Sequence, residues 1–246
     1  MKSEWFISNT RHPDACVTVA AFPQAGAGCA VFSQHAKAMP DWLELMTLNL
    51  PGRQARFGEP VCTDIDALAE ELALYWANHT GPYLFFGYCS GALIAYCVAR
   101  RLQEQGAILP RRLVVSSYKA PHLVSSGPLG ELNSEDFWAA LIRFNAVVPQ
   151  LAEQRELREI SEPVIRGDMA LVAGYRHVPC APLTIPITML SGEKDSWITA
   201  ADVASWERYT ARGFAAKRLP AGHWLMEGDA AAATQALIAE AAAVRD

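Results

Sequence analysis

An apolar run turns into a helical one in the stretch Tyr83-Leu84-Phe85-Phe86-Gly87-Tyr88-Cys89-Ser90-Gly91-Ala92-Leu93, with a cysteine at the junction. Gly87 and Gly91 flank Cys89 in the order Gly-x-nucleophile-x-Gly, which is the pattern of a nucleophile elbow. In such a turn the backbone passes so close to strand and helix that only small residues fit at the two flanking positions. The pattern predicts a strained turn with Cys89 at its tip, where the helix N-terminus would lower the thiol pKa and favour thiolate. The alternative is a buried structural cysteine in an ordinary strand-to-helix connection.

Length and charge restrict the class of protein. The chain has 246 residues, 51% of them hydrophobic and 19% charged, which suits one large α/β domain over residues 1–246. Its formal net charge is −5, which argues against nucleic acid as a general partner. It has neither an 18-residue apolar run nor a basic-then-apolar leader, so we expect no membrane span and a cytoplasmic protein.

The six cysteines are widely scattered, without the paired spacings of a zinc site or the density of a disulfide scaffold. They are Cys16, Cys29, Cys62, Cys89, Cys97 and Cys180. We expect free thiols and no metal. All except Cys89 are interpreted as small buried hydrophobes.

Apolar runs alternate with helical patterns along the chain. Strands are predicted at 16–22, 43–50, 83–88, 112–118, 184–190 and 214–219, and helices at 29–39, 65–79, 92–105 and 230–243, with Thr63 as a possible N-cap. Continuous apolar strands alternating with helices indicate a parallel sheet covered on both faces.

The glycine-rich turn Gln24-Ala25-Gly26-Ala27-Gly28 follows the first long strand and leaves backbone amides exposed. In an elbow hydrolase one oxyanion donor is the amide after the nucleophile, here Ser90, and a second comes from a loop after an early strand. Gln24 or Ala25 fits the second position. The alternative is a connector without a catalytic part.

About sixty residues between the strands at 112–118 and 184–190 show no strand pattern. Helical spacing occurs instead at 134–144, 151–160 and 165–175. A crossover needs only one helix, so this segment, about 131–178, is predicted to be an inserted lid that shapes a substrate channel. A helical insertion that only packs on the surface is the alternative.

Candidates for the acid and the base follow the last two predicted strands. Asp195 lies just after the 184–190 strand, where a triad acid belongs, with Glu193 and then Asp168 as competitors. His223 lies on the loop after the last strand and is the only histidine after Asp195. The order Cys89, Asp195, His223 is that of a nucleophile–acid–base triad on this type of fold.

Further motifs carry a resemblance to a known family. They are Phe22-Pro23-Gln24-Ala25-Gly26, Leu50-Pro51-Gly52-Arg53 with Arg56 and Glu59-Pro60, Ser116 with Ala120-Pro121-His122, Glu156-Leu157-Arg158, Arg166-Gly167-Asp168 and Gly222-His223. Over nearly the whole chain these resemble the stand-alone type II thioesterases of nonribosomal peptide and polyketide assembly lines. The elbow departs from the family's usual Gly-His-Ser-Met-Gly, since Tyr88, Cys89 and Ser90 replace histidine, serine and methionine.

The resemblance implies an α/β-hydrolase fold with a helical lid, acting on acyl groups held as thioesters on the phosphopantetheine arm of a carrier protein. It gives Cys89, Asp195 and His223 the nucleophile, acid and base positions. No cofactor is implied, because the substrate carries the phosphopantetheine, and we expect a monomer. Three other interpretations stay open: an acyl or aminoacyl transferase between carrier proteins, a small-molecule cysteine hydrolase, and an inactive carrier-binding module.

Basic residues near the 100–112 connection suggest one docking hypothesis. Arg100, Arg101, Arg111 and Arg112 cluster in sequence, and carriers of this kind tend to be acidic. A solvated surface without a docking role is the alternative.

Overall fold

The computed structural model describes residues 5–125, 127–227 and 230–245. Within these ranges the sheet has seven strands: β1 Phe6–Ser8, β2 Val17–Phe22, β3 Leu43–Leu48, β4 Tyr83–Tyr88, β5 Arg112–Ser116, β6 Ile187–Gly192 and β7 Phe214–Leu219. The spatial order is β1-β3-β2-β4-β5-β6-β7. Every neighbouring pair is parallel except β1 with β3. The predicted mostly parallel sheet is confirmed.

Helices cover both faces of the sheet. The α-helices are α1 Ser33–Ala36, α2 Ile65–Trp76, α3 Ser90–Glu104, α4 Ser134–Arg143, α5 Pro149–Glu153, α6 Arg155–Ala173, α7 Ala200–Ala204 and α8 Ala231–Ala242. Short 3₁₀ helices lie at Cys29–Phe32, Gln54–Arg56, Pro121–Leu123, Pro128–Glu131 and Ser205–Tyr209. None of the helices within the described ranges is long and apolar enough to cross a membrane.

The central strand β4 separates two apolar cores. Side chains alternate across a strand, so Tyr83 and Phe85 enter the core beneath α2 and α3, whereas Leu84 and Phe86 enter the core beneath α8. All six residues of β4 are buried. An apolar run without polar alternation is therefore what a strand with two covered faces requires.

Several predicted boundaries are wrong for local reasons. Residues 29–39 form a 3₁₀ turn and a four-residue helix in place of one longer helix. The N-cap of α2 is Asp64 and not Thr63, because the Asp64 carboxylate accepts the N–H groups of Asp66 and Ala67. The strand predicted at 184–190 begins only at Ile187 and continues to Gly192. The short edge strand β1 was not predicted.

The lid segment also differs from its predicted helices. Between β5 and β6 the chain forms α4, α5 and α6, and α6 runs from Arg155 through the predicted gap to Ala173. It contains Pro163, which removes one helical hydrogen bond. Val164, Ile165 and Leu171 are buried beyond the proline, so tertiary packing sustains the helix. That this segment acts as a lid stays a prediction.

Candidate active site

The turn at Cys89 has the geometry of a nucleophile elbow. Cys89 lies between β4 and α3 with φ +50° and ψ −126°, a backbone conformation that is strained for a residue with a side chain. A Cβ atom on Gly91 would lie 2.1 Å from the carbonyl oxygen of Phe22, and one on Gly87 would lie 2.3 Å from Cα of Ala92. Both contacts are with backbone, so neither position accepts a larger residue.

The thiol pKa of Cys89 is raised, and not lowered as the sequence predicted. The N–H of Ser90 lowers the thiol pKa as the helix N-terminus was expected to do, but desolvation by the surrounding protein is the larger effect. Together with the carboxylates of Asp195 and Glu227, burial raises the pKa of Cys89 to about 12. The resting group is a thiol, and its reaction as a nucleophile requires a base.

Asp195 and His223 form a hydrogen-bonded pair. Nδ1 of His223 lies 2.9 Å from Oδ2 of Asp195, whose side chain is fully buried. Burial alone raises the pKa of Asp195, but hydrogen bonds from His223 and from the N–H groups of Trp197 and Ile198 hold it below its usual value. An ionised carboxylate only accepts hydrogen bonds, so Nδ1 carries the proton and Nε2 is left as the basic nitrogen.

The imidazole is held on several sides. Its ring centroid lies 4.3 Å from that of Trp197 and 4.8 Å from that of Trp224. Ser117, a buried residue with φ +51°, donates its hydroxyl to the carbonyl of His223 at 2.8 Å. Nε2 is buried and has no hydrogen-bond partner among the described residues, Cys89 included. The imidazole is thus oriented, and its Nε2 is left without a partner among the described residues.

The three backbone amides that the sequence predicts as oxyanion donors lie on two connections, Ser90 after β4 and Gln24 and Ala25 after β2. The N–H of Ser90 begins α3 directly after Cys89. Within the described ranges neither this N–H nor those of Gln24 and Ala25 donate to a backbone or side-chain oxygen. The next amide, of Gly26, donates to Asp168 at 2.7 Å. Gln24, Ala25 and Cys89 line the same cavity, so the loop and the elbow face one space.

Two cavities meet at Cys89. The first, of about 530 Å³, is mostly apolar and extends from the elbow toward the lid residues Leu141, Val148 and Ile165. The second, of about 800 Å³, runs between Cys89, Tyr118 and the α6 residues Arg166 and Ala173. A bound molecule can therefore approach the sulfur from two directions.

The competing acids take other positions. Glu193 is exposed, and its N–H bonds to the carbonyl of Leu219. Asp168 is buried in an ion pair with Arg53. Of the predicted acids, only Asp195 contacts His223.

The remaining cysteines are unpaired, and no group of three or more His, Cys, Asp or Glu side chains in the described ranges has metal-binding geometry. The prediction that the other five are buried is wrong for Cys16 and Cys180, which are exposed, whereas Cys97 is buried in the core.

Internal ion pairs occupy the arginine cluster. Arg100 contacts Asp66 and Glu104, and Arg101 contacts Glu70 and Glu104. Arg112 lies 2.6 Å from the buried carboxylate of Glu240, and Arg111 donates to the carbonyl of Val244. Arginines neutralised within the fold make a weak docking surface, so the structure favours the alternative to the docking hypothesis.

Sequence reasoning missed the groups that support the site. Trp224 directly follows His223, and Trp197 lies two residues after Asp195. An aromatic residue close in sequence to a candidate site residue was the available signal. Ser117 and the Arg53–Asp168 pair gave no such signal, because their contacts join distant segments.

A strained elbow at the carboxyl end of a central parallel strand, with an Asp–His pair on the loops after β6 and β7, defines an α/β-hydrolase. The match to the thioesterase domain family is more specific and covers residues 17–240. The chain belongs to that family and is accordingly a hydrolase of the thioester-cleaving class.

Individual relatives are similar to this chain in sequence or structure over most of its length. A Brevibacillus parabrevis protein named linear gramicidin dehydrogenase LgrE is 30% identical, over 92% of this chain and 88% of its own length. The type II thioesterase BorB from the borrelidin cluster superposes with a TM-score of 0.85 at 28% identity, covering 98% of each chain. YbtT, a type II thioesterase from the yersiniabactin NRPS/PKS pathway, gives 0.83 at 25% identity, covering 99% of this chain and 100% of its own.

Proposed function

We propose that this protein is a type II thioesterase that cleaves acyl or aminoacyl thioesters from the phosphopantetheine arm of carrier proteins, through an acyl-Cys89 intermediate. The observation that carries the proposal is the position of Cys89 at the elbow tip where two cavities meet. Trp197 and Trp224, which contact the ring of His223, line the first of these cavities together with Cys89. The names of BorB and YbtT support the assignment to assembly-line biosynthesis. Its partner is an acyl-loaded carrier protein. The enzyme itself acts as a monomer in the cytoplasm.

In the first half-reaction Nε2 of His223 takes the proton of the Cys89 thiol as the sulfur attacks the thioester carbonyl. Asp195 holds the imidazole in the required tautomer and stabilises the imidazolium that forms. The negative charge on the carbonyl oxygen faces the N–H of Ser90 and that of Gln24 or Ala25. The carbon–sulfur bond to pantetheine then breaks, and His223 returns the proton to the departing thiol.

In the second half-reaction water attacks the acyl-Cys89 carbonyl while His223 removes its proton. The bond to Sγ breaks, free acid leaves, and the sulfur regains its proton from His223. The chemistry uses only side chains and backbone amides of this chain, together with water and the pantetheine of the substrate.

The two cavities suit the two parts of such a substrate. The apolar space toward Leu141 and Val148 suits an acyl chain, because burial of apolar surface stabilises its complex. The cavity beside Tyr118 and Arg166 contains more polar groups and suits the pantetheine arm, which carries amides and a phosphate.

A second candidate is acyl transfer between two carriers, favoured by the identity of the nucleophile. A serine would hold the acyl group as an ordinary ester, whereas Cys89 keeps it as a thioester. Transfer to a second pantetheine thiol is then nearly thermoneutral. The buried, uncharged thiol is compatible with either acceptor.

The test is intact-protein mass spectrometry of enzyme mixed with acyl-loaded carrier and empty holo-carrier. Hydrolysis predicts a mass increase of one acyl group on the enzyme, free acid, and no acyl group on the second carrier. Acyl appearing on the second carrier ahead of free acid would contradict hydrolysis and support transfer.

The same mixture tests the other two interpretations. An unmodified enzyme with both carriers unchanged would support an inactive carrier-binding module. Cleavage of a small acyl thioester with a loaded carrier left intact would support a small-molecule hydrolase.

A further inference from the structure

The Pro-Gly-Arg and Arg-Gly-Asp motifs meet in one buried contact that the proposed mechanism does not use. Arg53 donates from Nη2 to Oδ1 of Asp168 and from Nη1 to Oδ2, both at 2.6 Å. Each side chain is 7% exposed. Arg53 belongs to the loop after β3, and Asp168 belongs to α6, so the pair joins the sheet side of the molecule to the lid segment.

The same carboxylate also holds the predicted oxyanion loop. Oδ2 of Asp168 accepts the N–H of Gly26 at 2.7 Å, and Arg53 Nη1 donates to the carbonyl of Ala27 at 2.9 Å. The loop is thus fixed at an amide and at the following carbonyl by two side chains from distant segments. A turn contact from the N–H of Ala27 to the carbonyl of Gln24, at 3.1 Å, closes it.

Close packing leaves little freedom at this junction. Gly26 has φ +78°, and a Cβ there would lie 2.8 Å from Cγ1 of Ile165 on α6. A Cβ on Gly167 would lie 2.6 Å from Cγ2 of Val61, which follows the Arg53 loop. The helix and both loops therefore touch without room for a methyl group.

Stability alone does not account for such a pair. A buried ion pair commonly contributes no more than well-packed apolar residues of similar volume, because both charges must be desolvated. What it supplies is geometry: a bidentate contact fixes the carboxylate plane, and that plane aims Oδ2 at Gly26. The amides set by this contact are those of Gln24 and Ala25, immediately before Gly26.

We propose that Asp168, oriented by Arg53, is a positioning residue that sets the oxyanion loop from the lid helix. The inference rests on the proposed function, because it assigns a role in the same acylation step. Each oxyanion donor contributes about 10²–10³ in kcat in enzymes of this chemistry, and a misplacement of about 1 Å costs roughly 10². Release of Gly26 therefore impairs acylation of Cys89 without touching the nucleophile or the base.

The main variant is Asp168→Asn, which keeps the size of the side chain and removes its charge. An asparagine offers one oxygen, which cannot serve Gly26 and both Arg53 contacts at once. The probe is a small acyl N-acetylcysteamine thioester, and the readout is the rate of Cys89 acylation by intact-protein mass spectrometry. We expect a fall of about 10–100-fold with KM changed by less than about threefold.

Two controls separate positioning from general damage. Glu240→Gln removes the charge of another buried carboxylate, which contacts Arg112, Thr188 and Lys217 away from the elbow. It should lower the Tm and leave acylation unchanged. Alkylation of Cys89 by iodoacetamide builds no oxyanion, so its rate should be unchanged in Asp168→Asn.

A fall in both acylation and alkylation, or equal acylation rates in the two variants, would overturn the proposal. Amide hydrogen exchange across residues 22–28 gives a readout that needs no activity. Exchange should accelerate in Asp168→Asn and not in Glu240→Gln. Unchanged exchange in Asp168→Asn would also overturn the proposal that Asp168 positions this loop.

If Asp168→Asn does not fold, Arg53→Lys replaces it. Lysine keeps a charge opposite Asp168 but loses the bidentate contact, so acylation should fall by less, about 3–10-fold. A wild-type rate with this variant would contradict the role of Arg53. Acylation of the wild type by the small thioester, without release from a loaded carrier, would contradict the proposed function and leave the positioning role intact.

Discussion

The sheet of this molecule is more tightly packed than the lid segment. Around β4 every side chain is buried, and the elbow touches the Phe22 backbone so closely that glycine is required. The lid has a small cluster of its own, formed by Phe137, Trp138, Leu141 and Ile165. Several of its large apolar side chains are exposed: Ile142, Phe144, Val148, Leu157 and Ile160.

The difference teaches which part controls which property. The proposed nucleophile, acid and base, which the mechanism needs to be placed to within fractions of an ångström, follow strands β4, β6 and β7 of the sheet. The side chains that line the apolar cavity, the proposed acyl space, come largely from the lid segment. We therefore expect substitutions of the site residues on the sheet to change the chemical step. Substitutions of the apolar lid side chains that line this space should change substrate preference, whereas Asp168 on α6 acts on the chemical step through the loop that it holds.

The largest effect should come from Cys89→Ala. Without the sulfur no acyl-enzyme forms, and acyl release from a loaded carrier should fall by more than about 10³-fold. The matched control is Cys97→Ala, which removes a buried thiol two turns further along α3. Substantial acyl release by Cys89→Ala, measured as free acid over time, would contradict the covalent mechanism. It would also contradict the view that the chemical step depends on residues attached to the sheet.

The next effect is expected for Asp195→Asn. The amide can donate to Nδ1 and stabilise the wrong tautomer, so kcat should fall by about 10²–10⁴-fold. Asp202→Asn is the control, because Asp202 is also mostly buried and hydrogen-bonded but only caps α7 through Thr199. That change should cost about 1 kcal/mol of stability and leave kcat alone. Equal kcat values for the two variants would transfer the acid role to another group.

Labelling of Cys89 should follow its raised pKa. The thiolate is the reactive form, so with a pKa of about 12 the iodoacetamide rate should rise about tenfold per pH unit from roughly pH 7 to 9. At neutral pH the exposed Cys16 and Cys180 should be labelled first. Peptide mass spectrometry resolves the sites. A plateau for Cys89 near neutral pH would show a resting thiolate, which the burial of the sulfur opposes.

Local patterns predicted the parallel sheet, the elbow and the chain order of the candidate site residues. A six-residue apolar strand without polar alternation indicates a strand covered on both faces. The pattern Gly-x-Cys-x-Gly at the end of such a strand is typical of a nucleophile elbow. The errors occurred where distant contacts decide. Pro163 continues a helix because its neighbours are buried, and the thiol of Cys89 is protonated because desolvation outweighs the helix end. Arg53 and Asp168 meet across 115 positions, which no local pattern encodes.

The smallest effect on turnover, and the sharpest test of the contrast, comes from a pair of leucine-to-alanine variants. Leu72 lies in the core beneath α2, and Leu141 lies in the lid cluster and lines the apolar cavity. Leu72→Ala should cost about 4–5 kcal/mol in urea unfolding, because the tightly packed core cannot collapse around the void. Leu141→Ala should cost about 2 kcal/mol, since a void beside an existing cavity removes fewer contacts.

The effect on substrate preference should be the reverse of the effect on stability, larger for Leu141→Ala than for Leu72→Ala. At temperatures where both are folded, Leu72→Ala should keep the wild-type preference among acyl chain lengths. Leu141→Ala enlarges the acyl space, so the ratio of kcat/KM for a long chain to that for a short one should rise about 5–10-fold. A series of acyl N-acetylcysteamine thioesters measures this ratio. An unchanged ratio in Leu141→Ala, or equal unfolding free energies in the two variants, would mean that the lid is as rigid a part of the machinery as the sheet.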